Sequence, residues 1–186
     1  MQHVNQTKEG LMVLVLDPTL APLADSGDSG PDAGSLAGKR VGFRVDILWR
    51  SWDWVSDEWA RLAERDGAEV RFWRARGRTG DEGDAMLKEL DEFLTGVDIA
   101  VVGLANCGSC TSWTIHDALR AAGTGIPTVA VCTDHFKDLA GTLARRGGRS
   151  ALRRHVLPYP LDTLQEAEVR DIARAHYRPF LRTLGV

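Results

Sequence analysis

Residues 97–123 read VDIAVVGLANCGSCTSWTIHDALRAAG, and they decide the fold. The run Ile99 to Leu104 is apolar throughout and rich in β-branched residues, which predicts a central parallel strand covered on both faces. Trp113 to Ala122 then reads as a helix, with Ser112 as its N-cap and Gly123 as its stop. Strand, glycine-bearing turn and helix start together place Cys107 and Cys110 at the positive end of a helix dipole, among backbone N–H groups that no helical carbonyl satisfies. A thiolate is stabilised there, so the thiol pKa is expected to fall below the free-cysteine value of about 8.5.

Outward from this stretch, strand-like and helix-like segments alternate from about residue 39 onward. Arg40–Asp46 reads as the first core strand and Trp52–Arg65 as a helix capped by Ser51. Ala68–Arg74 is the second strand. Asp81–Leu94 is the second helix, with Met86, Leu87, Leu90 and Leu94 at helical spacing. After the cysteine strand and helix come a strand at Pro127–Thr133, a helix at Asp134–Arg146, a short strand at His155–Pro158 and a closing amphipathic helix at Leu161–Leu184. This alternation predicts an α/β, three-layer architecture: a mostly parallel five-stranded sheet with helices on both faces, in the flavodoxin-like order 2-1-3-4-5.

The chain divides at about residue 38. Residues 39–186 form a single α/β domain carrying the C-G-S-C motif, and residues 1–38 form an N-terminal appendage. In that appendage Leu11–Leu16 is a short apolar run ending in Asp17–Pro18, expected to add an edge strand or pack on a neighbouring subunit. ADSGDSGPDAGSLAG, before Lys39, is rich in Gly, Ser, Asp and Pro and is expected to be a flexible connection.

With 186 residues, 44% of them hydrophobic, the chain can bury one full core. A net charge of −3 gives no general pull toward nucleic acid or an anionic membrane. No apolar run reaches the roughly 18 residues of a membrane span, and Met1–Gly10 lacks the pattern of a signal peptide. A cytoplasmic location follows as the expectation. Three cysteines in such a chain argue for reduced or transiently oxidised thiols over a structural disulfide framework.

Folds of this class bind ligands beyond the carboxyl ends of the strands. The first strand delivers Asp46, Trp49 and Arg50. The third delivers Asn106, Cys107, Ser109, Cys110, Thr111 and Ser112, and the fourth delivers Cys132, Thr133, Asp134 and His135. The C-x-x-C spacing admits a nucleophilic or disulfide-forming pair, a metal site, or two small residues that merely pack. The polarity of Asn106, Ser109, Thr111 and Ser112 argues against the last. His116 is a candidate to deprotonate a thiol or protonate a leaving group. Trp49 and Arg50 are candidates to line a pocket for an apolar or anionic substrate, whereas Trp52 and Trp59 share a helical face and read as core. Cys132 reads as a buried small hydrophobe or as a third thiol, and His155 and His176 as structural or exposed. No G-x-G-x-x-G follows the first strand and no phosphate-binding loop occurs, so no cofactor is expected.

The stretch NCGSCTSWTIHDAL, followed by GIPTVAVCT and by LPYPLDTL before the last helix, resembles the UGSC family, in some of whose members selenocysteine replaces the first cysteine of the C-G-S-C motif. The likeness runs from about Gly38 to the end, with Cys107 at the selenocysteine position and Cys110 at the second cysteine. It implies thiol or selenol chemistry on an α/β scaffold, with Cys107 as the attacking atom. It also implies assembly as a homo-oligomer or with a related second subunit.

Three functions are consistent with these features. The first is a thiol enzyme in which Cys107, assisted by Cys110, attacks or reduces an electrophilic small molecule and is restored by a thiol reductant. The second is a metal-dependent, zinc-type lyase or hydrolase using Cys107, Cys110 and Cys132, or one of these exchanged for His116 or His135. The third is a non-catalytic subunit of a hetero-oligomer.

Overall fold

A computed structural model describes residues 3–6, 12–15 and 23–186. Strands β1 (His3–Gln6) and β2 (Met12–Val15) pair antiparallel as a two-stranded sheet of their own. The described part of the Leu11–Leu16 run is therefore not an edge strand of the main sheet. Leu11 and Leu16 themselves, with Asp17–Pro18, lie outside the described residues.

The main sheet contains β3 (Arg40–Val45), β4 (Glu69–Arg74), β5 (Ile99–Ala105), β6 (Thr128–Thr133) and β7 (Arg154–Leu157). All pairings are parallel and the order is β4-β3-β5-β6-β7. Counted along this sheet alone, that is 2-1-3-4-5, the flavodoxin-like order. Five helices connect the strands and close the fold: α1 (Arg50–Arg65), α2 (Gly80–Thr95), α3 (Gly108–Gly123), α4 (Lys137–Arg146) and α5 (Glu166–Leu184). Among the described residues no helix is long and apolar enough to cross a membrane.

Period-two alternation along the strands divides the core into two layers. Val41, Phe43, Ile99, Val101, Val129 and Val131 face α1 and α5, where Trp52, Trp59 and Phe180 are buried. Ala100, Val102, Ala130 and Cys132 face α2, α3 and α4. This second layer is rich in alanine from sheet and helices alike, Ala118, Ala121, Ala140 and Ala144 among them, so α3 and α4 lie close against the strands. Met86, Leu90 and Leu94 supply the buried stripe of α2, while Leu87 is exposed.

The alternation breaks once, and at the place that matters. The β5–β6 register shifts between Val102 and Ala105. Leu104 consequently joins the α1/α5 layer and Ala105 the opposite one, a one-residue change of parity of the kind a bulge imposes. Gly103 sits at the break, where a Cβ would meet the Trp52 ring at 2.5 Å. The residues that follow, Asn106 and Cys107, are aimed by this irregularity.

Several boundaries differ from expectation. The helix expected from Trp113 with Ser112 as cap begins at Gly108, and Cys107 is its N-cap. The polar turn is absorbed into the helix because Cys107 Sγ and its carbonyl receive the Cys110 N–H and the Thr111 hydroxyl. Gly123 is the last residue of α3, not the stop beyond it. Ser51 does not cap α1, whose N-cap is Trp49. A three-residue 3-10 turn, Asp134–Phe136, precedes α4. α5 starts only at Glu166, under a capping box formed by Gln165 and Glu168.

The segment expected to be a flexible connection is laid along the molecule. Ala33 N–H and Gly34 N–H donate to the carbonyls of Leu184 and Gly185. Asp25, Asp28 and Asp32 pair with Ser150, Arg149 and Arg153, and Ala33 and Leu36 are buried in the α1/α5 layer. Two apolar side chains, spaced among the polar ones, thus enter the core together with these backbone and ionic contacts.

Candidate functional site

At the carboxyl ends of β3, β5 and β6 the chain makes two polar constellations on either side of the Cys107–Cys110 pair. The two cysteines are joined as a disulfide across the first turn of α3. Cys110 N–H donates to Cys107 Sγ at 3.0 Å, so the Cys107 sulfur occupies the place of an N-capping oxygen. Ser109 Oγ lies 3.5 Å from the same sulfur. Cys107 is half-buried and Cys110 is buried.

On one side lies a cleft of about 120 Å³ whose wall carries Arg44, Asp46, Arg78, Ser109, Cys110 and Trp113. Arg44 points from β3 toward α3, opposite in sense to Phe43 and Val45, and is only 3% exposed. Its Nε donates to Asp117 Oδ2 at 2.8 Å, and its Nη1 donates to the Gly103 carbonyl at 2.7 Å and to Asp46 Oδ2 at 3.2 Å. The register break thus has its carbonyl satisfied by this buried cation. Arg78, between β4 and α2, donates to both oxygens of Asp117 at 3.1 and 2.6 Å. Its guanidinium lies over the Trp113 ring, 5.3 Å from the centroid. Burial pulls the Arg44 pKa down, the Asp117 carboxylate opposes this, Arg78 adds to it, and Asp46 opposes again. Asp46 Oδ1 accepts from the N–H groups of Leu48 and Trp49 at 2.9 and 3.3 Å, fixing the turn after β3.

On the other side, Asn106 is held from two directions. Its Oδ1 accepts from Thr133 Oγ1 at 2.9 Å, and its Nδ2 donates to Asp162 Oδ2. Asp162 Oδ1 accepts from Ser51 Oγ at 2.6 Å. One carboxylate from the β7–α5 loop therefore ties the first turn of α1 to the residue before Cys107.

Of the expected site residues, Asp46, Ser109 and Cys110 lie on the cleft wall, and Asn106 and Thr133 join the second constellation. Thr111 is buried and donates to the Cys107 carbonyl at 2.6 Å, a helix-start contact. Ser112 is half-buried on α3. The rest lie elsewhere. Trp49 packs against the α1/α5 core, and Arg50 stacks on Trp54 at 5.6 Å. Asp134 is exposed and pairs with Lys137 at 2.8 Å. His116 is exposed on α3, about 120° around the helix from Cys110. His135 stacks on Tyr159, ring centroids 4.9 Å apart.

Cys132 does not join the pair. It is fully buried in the α2/α3/α4 layer, its thiol facing the His155 carbonyl at 3.7 Å, and burial pushes its pKa up to about 11. Among the described residues no group of three or more His, Cys, Asp or Glu side chains is arranged to hold a metal ion. The alternative ligand set of Cys107, Cys110 and Cys132 with His116 or His135 is therefore not brought together.

Arg44, Arg78, Asp117, Asp162 and Ser51 were not among the expected site residues. Arg44 had a signal, a charge in the otherwise apolar alternation of VGFRV, and Asp162 had another in its place within LPYPLDTL. Nothing local marks Arg78 or Asp117 as partners.

The UGSC family model matches residues 14–186. No curated protein matches the chain. Among solved structures, a histidine-to-aspartate variant of a flavo di-iron protein from Thermotoga maritima is similar at 10% identity and a TM-score of 0.47, over 80% of this chain and 37% of that one. A histidine-to-asparagine variant of the protein is similar at 10% identity and a TM-score of 0.46, over 80% of this chain and 36% of that one. The chain thus spans little more than a third of the length of these structures.

Proposed function

The chain belongs to the UGSC family, and on that premise we propose that it is a thiol-dependent enzyme in which Cys107, assisted by Cys110, attacks and reduces an electrophilic small molecule. The observation that carries this reading is the Cys110 N–H directed at Cys107 Sγ at 3.0 Å, at the start of α3 and within disulfide reach of the second sulfur. Once the pair is reduced, that N–H and the helix terminus favour the Cys107 thiolate. The half-buried position of Cys107 suits the attacking thiol, and the buried position of Cys110 suits the resolving one.

In this scheme Cys107 Sγ forms a bond to the electrophilic atom of the substrate, and the leaving group departs with its electron pair. Cys110, as thiolate, then attacks Cys107 Sγ. The sulfur–substrate bond breaks, its electrons leave with the substrate fragment, and that fragment takes up a proton. The dithiol has given two electrons and become a disulfide. A dithiol reductant returns them by exchange, which places the cycle in a reducing compartment such as the cytoplasm. Asn106, held by Thr133 and Asp162, fixes the backbone that leads into Cys107 throughout.

The test is site-resolved alkylation of the reduced protein across pH, followed by mass spectrometry. Cys107 is expected to react well below pH 8.5 and Cys110 more slowly. Cys107→Ser should abolish reduction of electrophilic substrates while melting as the reduced parent does. A Cys107 no more reactive than a free thiol, or a Cys107→Ser variant impaired only in assembly, overturns the proposal in favour of a non-catalytic subunit.

A further inference from the structure

From the hydrogen-bond balance of the cleft beside Cys110, we infer that it is a binding site for a compact carboxylate of about five or six non-hydrogen atoms, gripped by Arg78 and Arg44. The inference deepens the thiol reading by giving its substrate class, and it rests on that reading for the chemistry but not for the binding geometry.

The wall has spare donors and no uncommitted carboxylate oxygen. Arg44 uses Nε and Nη1, and its Nη2, which has no hydrogen-bond partner among the described residues, is the guanidinium nitrogen left accessible. Arg78 spends Nη1 and Nη2 on Asp117, and its Nε has no partner among the described residues. Arg76 reaches the same wall, and its pair with Glu89, at 2.9 Å, is solvent-exposed and screened. Asp46 is the carboxylate on the wall, and both of its oxygens are engaged, by Arg44 and by two backbone N–H groups. Neither nitrogen is fully enclosed, so both are left to water, and a ligand with acceptor oxygens replaces that water by charge-assisted hydrogen bonds.

Size and apolarity narrow the ligand further. A cleft of about 120 Å³ is somewhat smaller than an engineered cavity of about 150 Å³ that holds benzene. Ile47, Leu48 and Trp113, all exposed, form an apolar rim over it. Hydrated oxyanions such as sulfate gain nothing from such a rim, whereas a short carboxylate places its fork on the guanidinium groups and its carbon tail under the indole. The tail then lies on the Ser109–Cys110 side, where the sulfur pair is.

The test is titration calorimetry of the oxidised, disulfide-bonded protein with propanoate, propanamide and sulfate. Saturable propanoate binding, at least about tenfold tighter than that of propanamide or sulfate, is expected. Arg78→Gln should weaken propanoate about tenfold or more, and Arg78→Lys should restore only part of it. Trp113→Ala alters an exposed rim residue, so it stays folded and should also weaken binding. Equal affinity for acid and amide, tighter binding of sulfate, or indifference to both Arg78→Gln and Trp113→Ala overturns the site. Iodoacetamide labelling of the reduced protein separates the two claims: propanoate binding with unreactive thiols upholds the carboxylate site and removes only the thiol reading, and the reverse result does the opposite.

Discussion

Gly103 has no side chain because Trp52 fills the space a Cβ would take, 2.5 Å away. Gly103→Ala should therefore cost about 1–3 kcal/mol in urea unfolding. Gly108→Ala meets nothing within 4 Å and should change stability by less than about 1 kcal/mol, although it lies inside the cysteine motif. Equal effects at the two positions would show that the register break is not sterically pinned. His155 is the other residue with a measurable signature. It is buried against Trp59, Phe180, His176 and Thr183. Burial, aided by the charge of His176, lowers its pKa from 6.5 to about 4. Below pH 6.5 the unfolded chain binds a proton that the fold refuses. Stability conferred by the neutral ring is thus full above pH 6.5, falls as pH drops toward 4 and then levels off, a loss on the order of 3 kcal/mol. Urea titrations at pH 7 and pH 4.5 should differ by less in His155→Gln than in the parent, and an unchanged difference refutes the assignment.

At the scale of elements, the strap of residues 23–38 and helix α3 both show polar sequence recruited by a few apolar or backbone contacts. Asp28 and Asp32 are exposed in their pairs with Arg149 and Arg153, and exposed pairs contribute little. Leu36, 4% exposed in the α1/α5 layer, carries the docking instead. Leu36→Ala should cost about 2–5 kcal/mol and expose the Ala33 and Gly34 amides to hydrogen exchange. Replacing Asp25, Asp28 and Asp32 together by Asn should leave those amides protected. Loss of protection in the triple variant alone would mean that the ion pairs hold the strap. Composition reports the strap's average polarity, while its docking depends on two side chains and on a groove assembled elsewhere in the chain.

For the whole molecule, the disulfide is too local to be a staple. It joins positions three apart, so loop closure contributes only about 2 kcal/mol, against the roughly 5–15 kcal/mol of a typical domain. Urea unfolding with and without reductant should show a shift of that size and a single transition in both states. A collapse of the fold on reduction would make the pair structural and would count against a redox cycle. Global stability comes instead from the two layers of core on either side of the sheet, neither of which contains the pair.

Much of this was legible in the chain itself. Apolar runs and helical spacing marked every strand of the main sheet and every helix, because these periods are properties of the local backbone. The alternation implied a mostly parallel sheet with helices on both faces, and the flavodoxin-like order preferred among the topologies the connection rules allow is the observed one. The cysteine pair at a strand–helix junction was likewise local. The surroundings of that pair were not. Asp162 meets Ser51 across 111 positions and Asn106 across 56, and Arg44 meets Asp117 across 73. The parity change at Gly103, which aims the loop, appears only when β5 is laid against β6. Local pattern fixes how a segment coils and which of its faces is apolar. Which buried charge finds which counter-charge depends on strand register and layer packing, and these exist only after the chain has closed on itself.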